Sequence, residues 1–277
     1  MLLAQAALPG RVEAATVDHG LREESAGEAR FVQALCQDRG IPHTVLGCAV
    51  EPGNLQSQAR TARYAVLETW AKQRGLAAIA TAHHADDQAE TLLMRLNRGS
   101  GLSGLAGIRA QASVPGGETV LLRPLLGWRR VELAEVVEAA RVDPVRDPSN
   151  QDRRFDRVRV REGVRDSDWI DAAALARSAA HLAEAEAALD ALIGREWSEC
   201  VDRDKSTLRY RPMGSNLIRK SVVRRIIVEF GGQTDLSQTA DLAARLEQGG
   251  AGTLAGVVAR AKRGVWIFEA EPPRRSG

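Results

Sequence analysis

Ala77-Ala78-Ile79-Ala80-Thr81-Ala82-His83-His84-Ala85-Asp86-Asp87-Gln88-Ala89-Glu90-Thr91 is the stretch that decides how the chain reads. Its first six residues are small and mostly apolar, the composition of a buried strand. From Asp87 to Asn97 the apolar positions recur at helical spacing. A strand that passes through a short polar turn into a helix is half of a βα unit, and the same half-unit recurs upstream. Val12–Val17 reads as a strand followed by Asp18-His19-Gly20, and Glu24–Arg39 as a helix stopped by Gly40-Ile41-Pro42. His43–Leu46 is a second strand and Asn54–Arg74 a second long helix. Leu2–Leu8 looks like the tail of a helix ended by Pro9-Gly10, and Val131–Ala140 is a further helix. Alternation of this kind up to about residue 130 argues for an α/β fold, a parallel doubly wound sheet with helices on both faces. Ligands of such sheets bind beyond the carboxyl ends of the strands. Asp18-His19 and His83-His84 both follow strands directly and are expected at that edge.

Downstream the pattern changes. Pro144–Pro148 breaks the alternation, and Arg153, Arg154, Arg157, Arg159, Arg161 and Arg165 follow, opposed locally by only Asp156 and Glu162. Such a stripe is either a solvated face or a strip that meets phosphate backbone. Ile170–Val201 is alanine-rich and helical. Ser215–Phe230 and Leu236–Gln248 are two more helices, and Gly252–Glu271 reads as two strands around Lys262-Arg263-Gly264. The expected division is an α/β domain over 1–155 and a second, mainly helical domain over 156–277.

Bulk properties narrow the classes. The 277 residues are 44% hydrophobic and 27% charged, a globular composition with a net charge of only +2. No apolar run approaches the ~18 residues of a membrane span, and the first residues lack the basic start of a signal peptide. Cys36, Cys48 and Cys200 form no metal-binding pair; their odd count and wide spacing suit buried thiols in a reducing, cytoplasmic setting.

The chemistry concentrates in His83–Thr91. Asp87, Glu90, Thr91 and Met94 share one helix face. The bland reading of Asp87-x-x-Glu90 is a capping box, with Asp87 capping the helix and Glu90 reaching back. Capping does not account for two adjacent histidines and two adjacent carboxylates in nine residues. Mg²⁺-assisted nucleotide chemistry fits the cluster, and so does a transition-metal hydrolase with His and Asp ligands. Spacing alone does not choose between them.

Longer blocks do choose. Val17-Asp18-His19-Gly20-Leu21-Arg22, Ala59-Arg60-Thr61-Ala62-Arg63-Tyr64 and Ala80–Thr91 through Arg98-Gly99-Ser100-Gly101 resemble, in order, the motifs of the tRNA(Ile)-lysidine synthases. Arg123-Pro124-Leu125, Asp147-Pro148-Ser149-Asn150 with Phe155 and the arginines after it, and Gly249–Val257 continue the resemblance over essentially the whole chain.

That resemblance implies an adenine nucleotide alpha hydrolase-like sheet of the PP-loop class. It implies that ATP, with Mg²⁺, adenylates the C2 oxygen of the wobble cytidine in an isoleucine tRNA with a CAU anticodon. Free L-lysine then displaces AMP to give lysidine. Asp87 and Glu90 would bind the lysine amine or Mg²⁺, with Asp86 adding negative charge and Thr91 on the same face. His84 and His83 would contact nucleotide or base, Arg63 would neutralise phosphate, and Asp18 and His19 would line the ATP site. Arg98, Asn150, Arg157 and Arg159 would face the tRNA. Simpler readings stand beside three of these: a surface ion pair for Arg63, a helix C-cap for Arg98, a strand-end turn for Asp18-His19. No membrane partner is expected, and a homodimer is left open.

The family pattern begins with a strand and an S-G-G-x-D-S loop that cradles phosphates. The sequence opens in what resembles the helix after that loop, so the sheet is expected to be incomplete at its N-terminal side. A coding region that starts at an internal Met is the expected cause, and ATP–pyrophosphate exchange by this chain alone is expected to be absent. Two competing readings are a metal-dependent phosphoesterase built on His83–Glu90 and a non-catalytic tRNA-binding remnant.

Overall fold

A computed structural model describes residues 1–18, 23–48, 55–145 and 152–272. They form two compact units, Met1–Ala183 and Glu184–Gly277. The first unit continues past residue 155, where the sequence suggested a boundary.

In the first unit α1 (Leu2–Ala7) leads to β1 (Ala14–Asp18), α2 (Glu23–Asp38), β2 (His43–Gly47) and α3 (Leu55–Arg74). Then come β3 (Ala78–Ala80), α4 (Ala85–Asn97), the single turn α5 (Leu102–Leu105), β4 (Gln111–Ser113) and β5 (Val120–Leu122). The unit ends with α6 (Arg130–Ala139), α7 (Asp156–Arg165) and the start of α8 (Ala172–Cys200). β1 and β2 pair in parallel, Ala14 opposite His43. β3 and β5 pair in parallel, Ala78 opposite Val120, and β4 adds antiparallel to β5. Among the described residues β1 and β3 each have an open edge, because the sheet falls into a two-stranded and a three-stranded piece. Both pieces share one core. Tyr64, Leu67, Trp70 and Ala71 of α3 pack with Ile79 of β3 and Leu121 of β5, and Ala15, Val17 and Leu46 of the β1–β2 pair close on the same cluster. An apolar cavity of about 490 Å³, lined by Phe31, Val32, Leu35, Leu133, Val136 and Val137 among others, lies between α2 and α6.

The second unit holds the end of α8, β6 (Val201–Asp204), β7 (Thr207–Tyr210), α9 (Asn216–Glu229), α10 (Leu236–Glu247), β8 (Ala251–Leu254), β9 (Val257–Lys262) and β10 (Val265–Ala270). Helices outweigh strands, yet the five strands form a continuous antiparallel sheet in the order β6-β7-β10-β9-β8, where the sequence suggested two. The hairpins explain the difference. β8–β9 and β9–β10 turn on the two-residue loops Ala255-Gly256 and Arg263-Gly264, with all four residues at positive φ, as twist-matched hairpin turns require. Val222, Val223, Ile226 and Ile227 of α9 and Leu242 and Leu246 of α10 bury against Val257, Ala259, Trp266 and Phe268 of the sheet. The three cysteines are buried free thiols.

Candidate active site

α4 starts earlier than its hydrophobic pattern indicates. His84 keeps the extended backbone of the strand exit and caps the helix: its Nδ1 accepts from the Asp87 N–H at 3.4 Å. The Asp87 carboxylate accepts from the His84 N–H at 3.0 Å, completing the box. The cap therefore lies three residues before the Asp87–Glu90 pairing expected from sequence. Ala85, a strong helix former, already has helical conformation, and the box residue Asp87 occupies the third position rather than the cap.

Glu90 has a different part. It is 2% exposed, and both its oxygens carry guanidinium donors. Arg161 Nε donates to Oε1 at 2.6 Å, and Arg157 Nε to Oε2 at 2.7 Å. Arg157 also reaches Asp87 Oδ1 at 3.1 Å. A carboxylate saturated in this way is held by α7, at the position where the sequence reading expects the lysine amine or Mg²⁺. It joins α7 to α4. Arg157 is tied to α4 by the same contacts, with 41% of its side chain still exposed.

The rest of the basic stripe is also neutralised. Arg153 pairs with Glu162, Arg154 with Asp152, Arg165 with Asp166, and Arg159 with Asp156. Asp156 lies also 3.5 Å from Arg98, which sits at the C-cap of α4. The stripe looked barer in sequence because Asp152 and Asp166 lie just outside it and Asp87 and Glu90 come from α4.

His83 emerges from β3 with its Nδ1 2.9 Å from Thr81 Oγ1. Burial holds its pKa below the ordinary histidine value. Asp87 opposes that shift, while the charges of Arg123, Arg157 and Arg60 reinforce it. The ring is therefore neutral at neutral pH. Asp86 accepts from the Arg130 N–H at 2.8 Å and faces Arg129 at 3.5 Å. The Thr91 hydroxyl donates back to the Asp87 carbonyl at 2.7 Å. Asp18, at the end of β1, accepts from Ser25 Oγ at 2.8 Å. Arg63 lies on an exposed turn of α3. His19 and Asn150 lie outside the described residues. His83, His84, Asp86, Asp87, Glu90 and Arg157 are thus brought together, whereas Arg98 and Arg159 meet around Asp156 at the far end of α4.

Three residues near this cluster stood inside quoted blocks but were not singled out as site residues. Arg161 could have been found, since it stands four residues after Arg157 and so shares its helix face. Gln88 clamps the Gly107-Ile108 strap: its Oε1 accepts from Ile108 N–H at 2.6 Å and its Nε2 donates to the Ile108 carbonyl at 3.1 Å. Gly107 is at φ +65, and a Cβ there would stand 2.5 Å from Gln88 Oε1. Arg123 is buried just after β5; the Arg123-Pro124-Leu125 block drew it into the family resemblance without marking it as a site residue.

Comparison with known proteins identifies the family and the fold. A PP-loop domain family matches residues 2–167. The chain is 47% identical over 282 aligned residues to a tRNA(Ile)-lysidine synthase of Novosphingobium aromaticivorans, covering 100% of this chain and 86% of that one. This chain belongs to the tRNA(Ile)-lysidine synthase family. The lysidine synthase of Zymomonas mobilis is 40% identical and aligns over 95% of this chain and 82% of its own. The family is one of PP-loop ligases, and its α/β sheet is seen again in a solved structure. A U34-tRNA thiolase from Methanococcus maripaludis superposes with a TM-score of 0.55 over 66% of each chain, at 16% identity. That likeness speaks for the fold alone. No described helix of this lysidine synthase family member is long and apolar enough to cross a membrane.

Proposed function

We propose that this protein ligates L-lysine to C2 of the wobble cytidine in an isoleucine tRNA with a CAU anticodon, using ATP, in the cytoplasm. The observation that carries the reading is the match to lysidine synthases along the whole chain, with His83–Glu90 inside it. Three buried, unpaired thiols accord with a reducing compartment.

The chemistry runs in two displacements. The cytosine C2 oxygen attacks the α-phosphorus of ATP, and the bond to pyrophosphate breaks. The ε-amine of lysine then forms the new C–N bond at C2, while the C2–O bond breaks and AMP leaves with the oxygen. The attacking amine must lose a proton, and we assign His83, whose pKa lies below the ordinary histidine value, to accept it. Asp86 and Asp87, paired here with Arg129 and Arg157, are assigned to the lysine side, where the substrate ammonium would exchange for one of these partners. Glu90 acts through Arg157 and Arg161, which it holds in place. His84 positions the turn that carries both aspartates, and Thr91 fixes the first turn of α4. Asp18 and Arg63 are assigned to the nucleotide side, Arg98 and Arg159 to the tRNA side. His19 and Asn150 keep their expected roles at the nucleotide and the tRNA.

Among the described residues no three His, Cys, Asp or Glu side chains converge as a metal cage. Mg²⁺ bound to nucleotide phosphates needs only one or two carboxylates, and no step here is routed through it. The phosphoesterase reading needs the convergent donor set, and His84 and Glu90 are engaged in capping and ion pairing.

Depleting the protein from its source cells tests the proposal. Mass spectrometry of nucleosides from isoleucine tRNA should then show lysidine disappearing and unmodified cytidine rising at the wobble position. Undiminished lysidine after depletion would remove the proposal.

A further inference from the structure

Because β3 and β5 run parallel with Ala80 opposite Leu122, their carboxyl ends reach the same edge of the sheet. One delivers His83 and the other Arg123. Arg123 is only 8% exposed. Among the described residues its guanidinium makes one hydrogen bond, from Nη1 to the Arg109 carbonyl at 2.7 Å, and its Nε is buried without a partner. Nη2 makes no hydrogen bond among the described residues and is not fully buried. Among the described residues no carboxylate pairs with it, in contrast to Arg157 and Arg161, which saturate Glu90.

A guanidinium stays charged in a protein. Burying it without a counter-charge is unfavourable, so a buried, uncompensated arginine at a ligand-binding edge marks a place where an anion arrives from outside. A second cation supports this. Arg60 lies over the Tyr64 ring at 5.2 Å, and no carboxylate pairs with it among the described residues. The charges of both arginines are felt at His83.

We propose that Arg123, with Arg60 as the second cation around His83, binds an oxyanion of a substrate at this edge. The inference rests on the proposed reaction only for its choice of ligands, which carry two such groups: the phosphates of the nucleotide and the α-carboxylate of lysine. An arginine suits either through charge-assisted hydrogen bonds.

The test reads binding without turnover, by calorimetry on the full chain with pyrophosphate, AMP, L-lysine and cadaverine, which is lysine without its carboxylate. Arg123→Gln is expected to weaken one class at least about tenfold, with Arg123→Lys recovering part of the loss. Weaker pyrophosphate and AMP binding with lysine unchanged assigns the phosphate. Weaker lysine binding with cadaverine unchanged assigns the carboxylate. Arg60→Gln, on an exposed position, should lose the same class to a smaller degree and serves if Arg123→Gln does not fold. The proposal is overturned by uniform weakening of every ligand, which marks a structural role. It is also overturned by variant affinities within about twofold of the parent, or by no binding of these ligands to the parent chain. Since no product is measured, this result and the fate of lysidine in depleted cells stand or fall separately.

Discussion

Glu68 shows how much one side chain can organise. From α3 its carboxylate accepts from the backbone N–H of Glu118 at 3.0 Å and of Thr119 at 3.2 Å, and it faces Lys72 at 3.1 Å. These donors favour the ionised form, and the Glu118 N–H does most to hold its pKa down at about 2 against an ordinary 4.5. A depressed carboxylate stabilises the fold fully above the unfolded value and loses that contribution as pH falls toward the folded one. The window is therefore from about 4.5 down to about 2. Urea midpoints of the parent and Glu68→Gln should differ clearly at neutral pH and converge as the solution is acidified through this window. A gap that stays constant with pH would show that the carboxylate charge is not the cause. Nothing in the sequence near Glu68 announced this clamp, since its partners stand fifty residues away. The His84 cap, in contrast, was nearly legible: the box pattern was read correctly but one turn too late.

At the scale of elements, α7 depends on its neighbour. Its sequence, Asp-Arg-Val-Arg-Val-Arg-Glu-Gly-Val-Arg, carries three β-branched residues and a glycine, and only Val158 is buried. Propensity alone is a weak support for such a helix. The Glu90 ion pairs with Arg157 and Arg161 supply the docking. Removing one partner of a buried pair costs ~3–5 kcal/mol, and arginines that reach water should bring the cost toward the lower end. Glu90→Gln should accordingly lower global stability by about 2–3 kcal/mol in denaturant unfolding. It should also raise amide exchange across 156–165 before it affects α3 or β5. Exchange in α7 that matches the parent would mean the helix stands without the ion pairs. The long helices were readable because their periodicity extends over many residues. β4, β5, β6 and β7 have three or four residues each, too few for an alternating pattern to rise above chance. α7 was read as charge rather than helix because its partner acids lie on α4, outside any local window.

For the whole molecule, the decisive fact is that each compact unit closes its own core. The second unit buries Leu208, Tyr210, Ile226, Ile227, Val257 and Phe268 within itself, and the Tyr210 ring meets Trp266 edge-on at 5.5 Å. The one buried carboxylate among its described residues, Glu196, is satisfied inside the same unit by Tyr210 Oη–H at 2.7 Å and by the N–H groups of Met213 and Gly214. No described hydrogen bond of that group needs a residue before Ala183. A domain with its own core and its own polar satisfaction can fold alone. The fragment 184–277 is therefore expected to unfold in a single cooperative step and to keep a near-ultraviolet circular dichroism signal from the packed Tyr210–Trp266 pair. Trp266→Phe should remove most of that signal while leaving a cooperative transition. A fragment with helical far-ultraviolet signal but no near-ultraviolet band and no transition would show that the sheet closes only with the first unit attached. The helix α8, cut at Ala183 in this fragment, keeps Glu196 and Trp197 in its retained part, and Arg225 stacks 4.2 Å over the Trp197 ring. If that stacking anchors the retained segment, Arg225→Ala should loosen residues 184–200 to amide exchange while the five-stranded sheet remains protected.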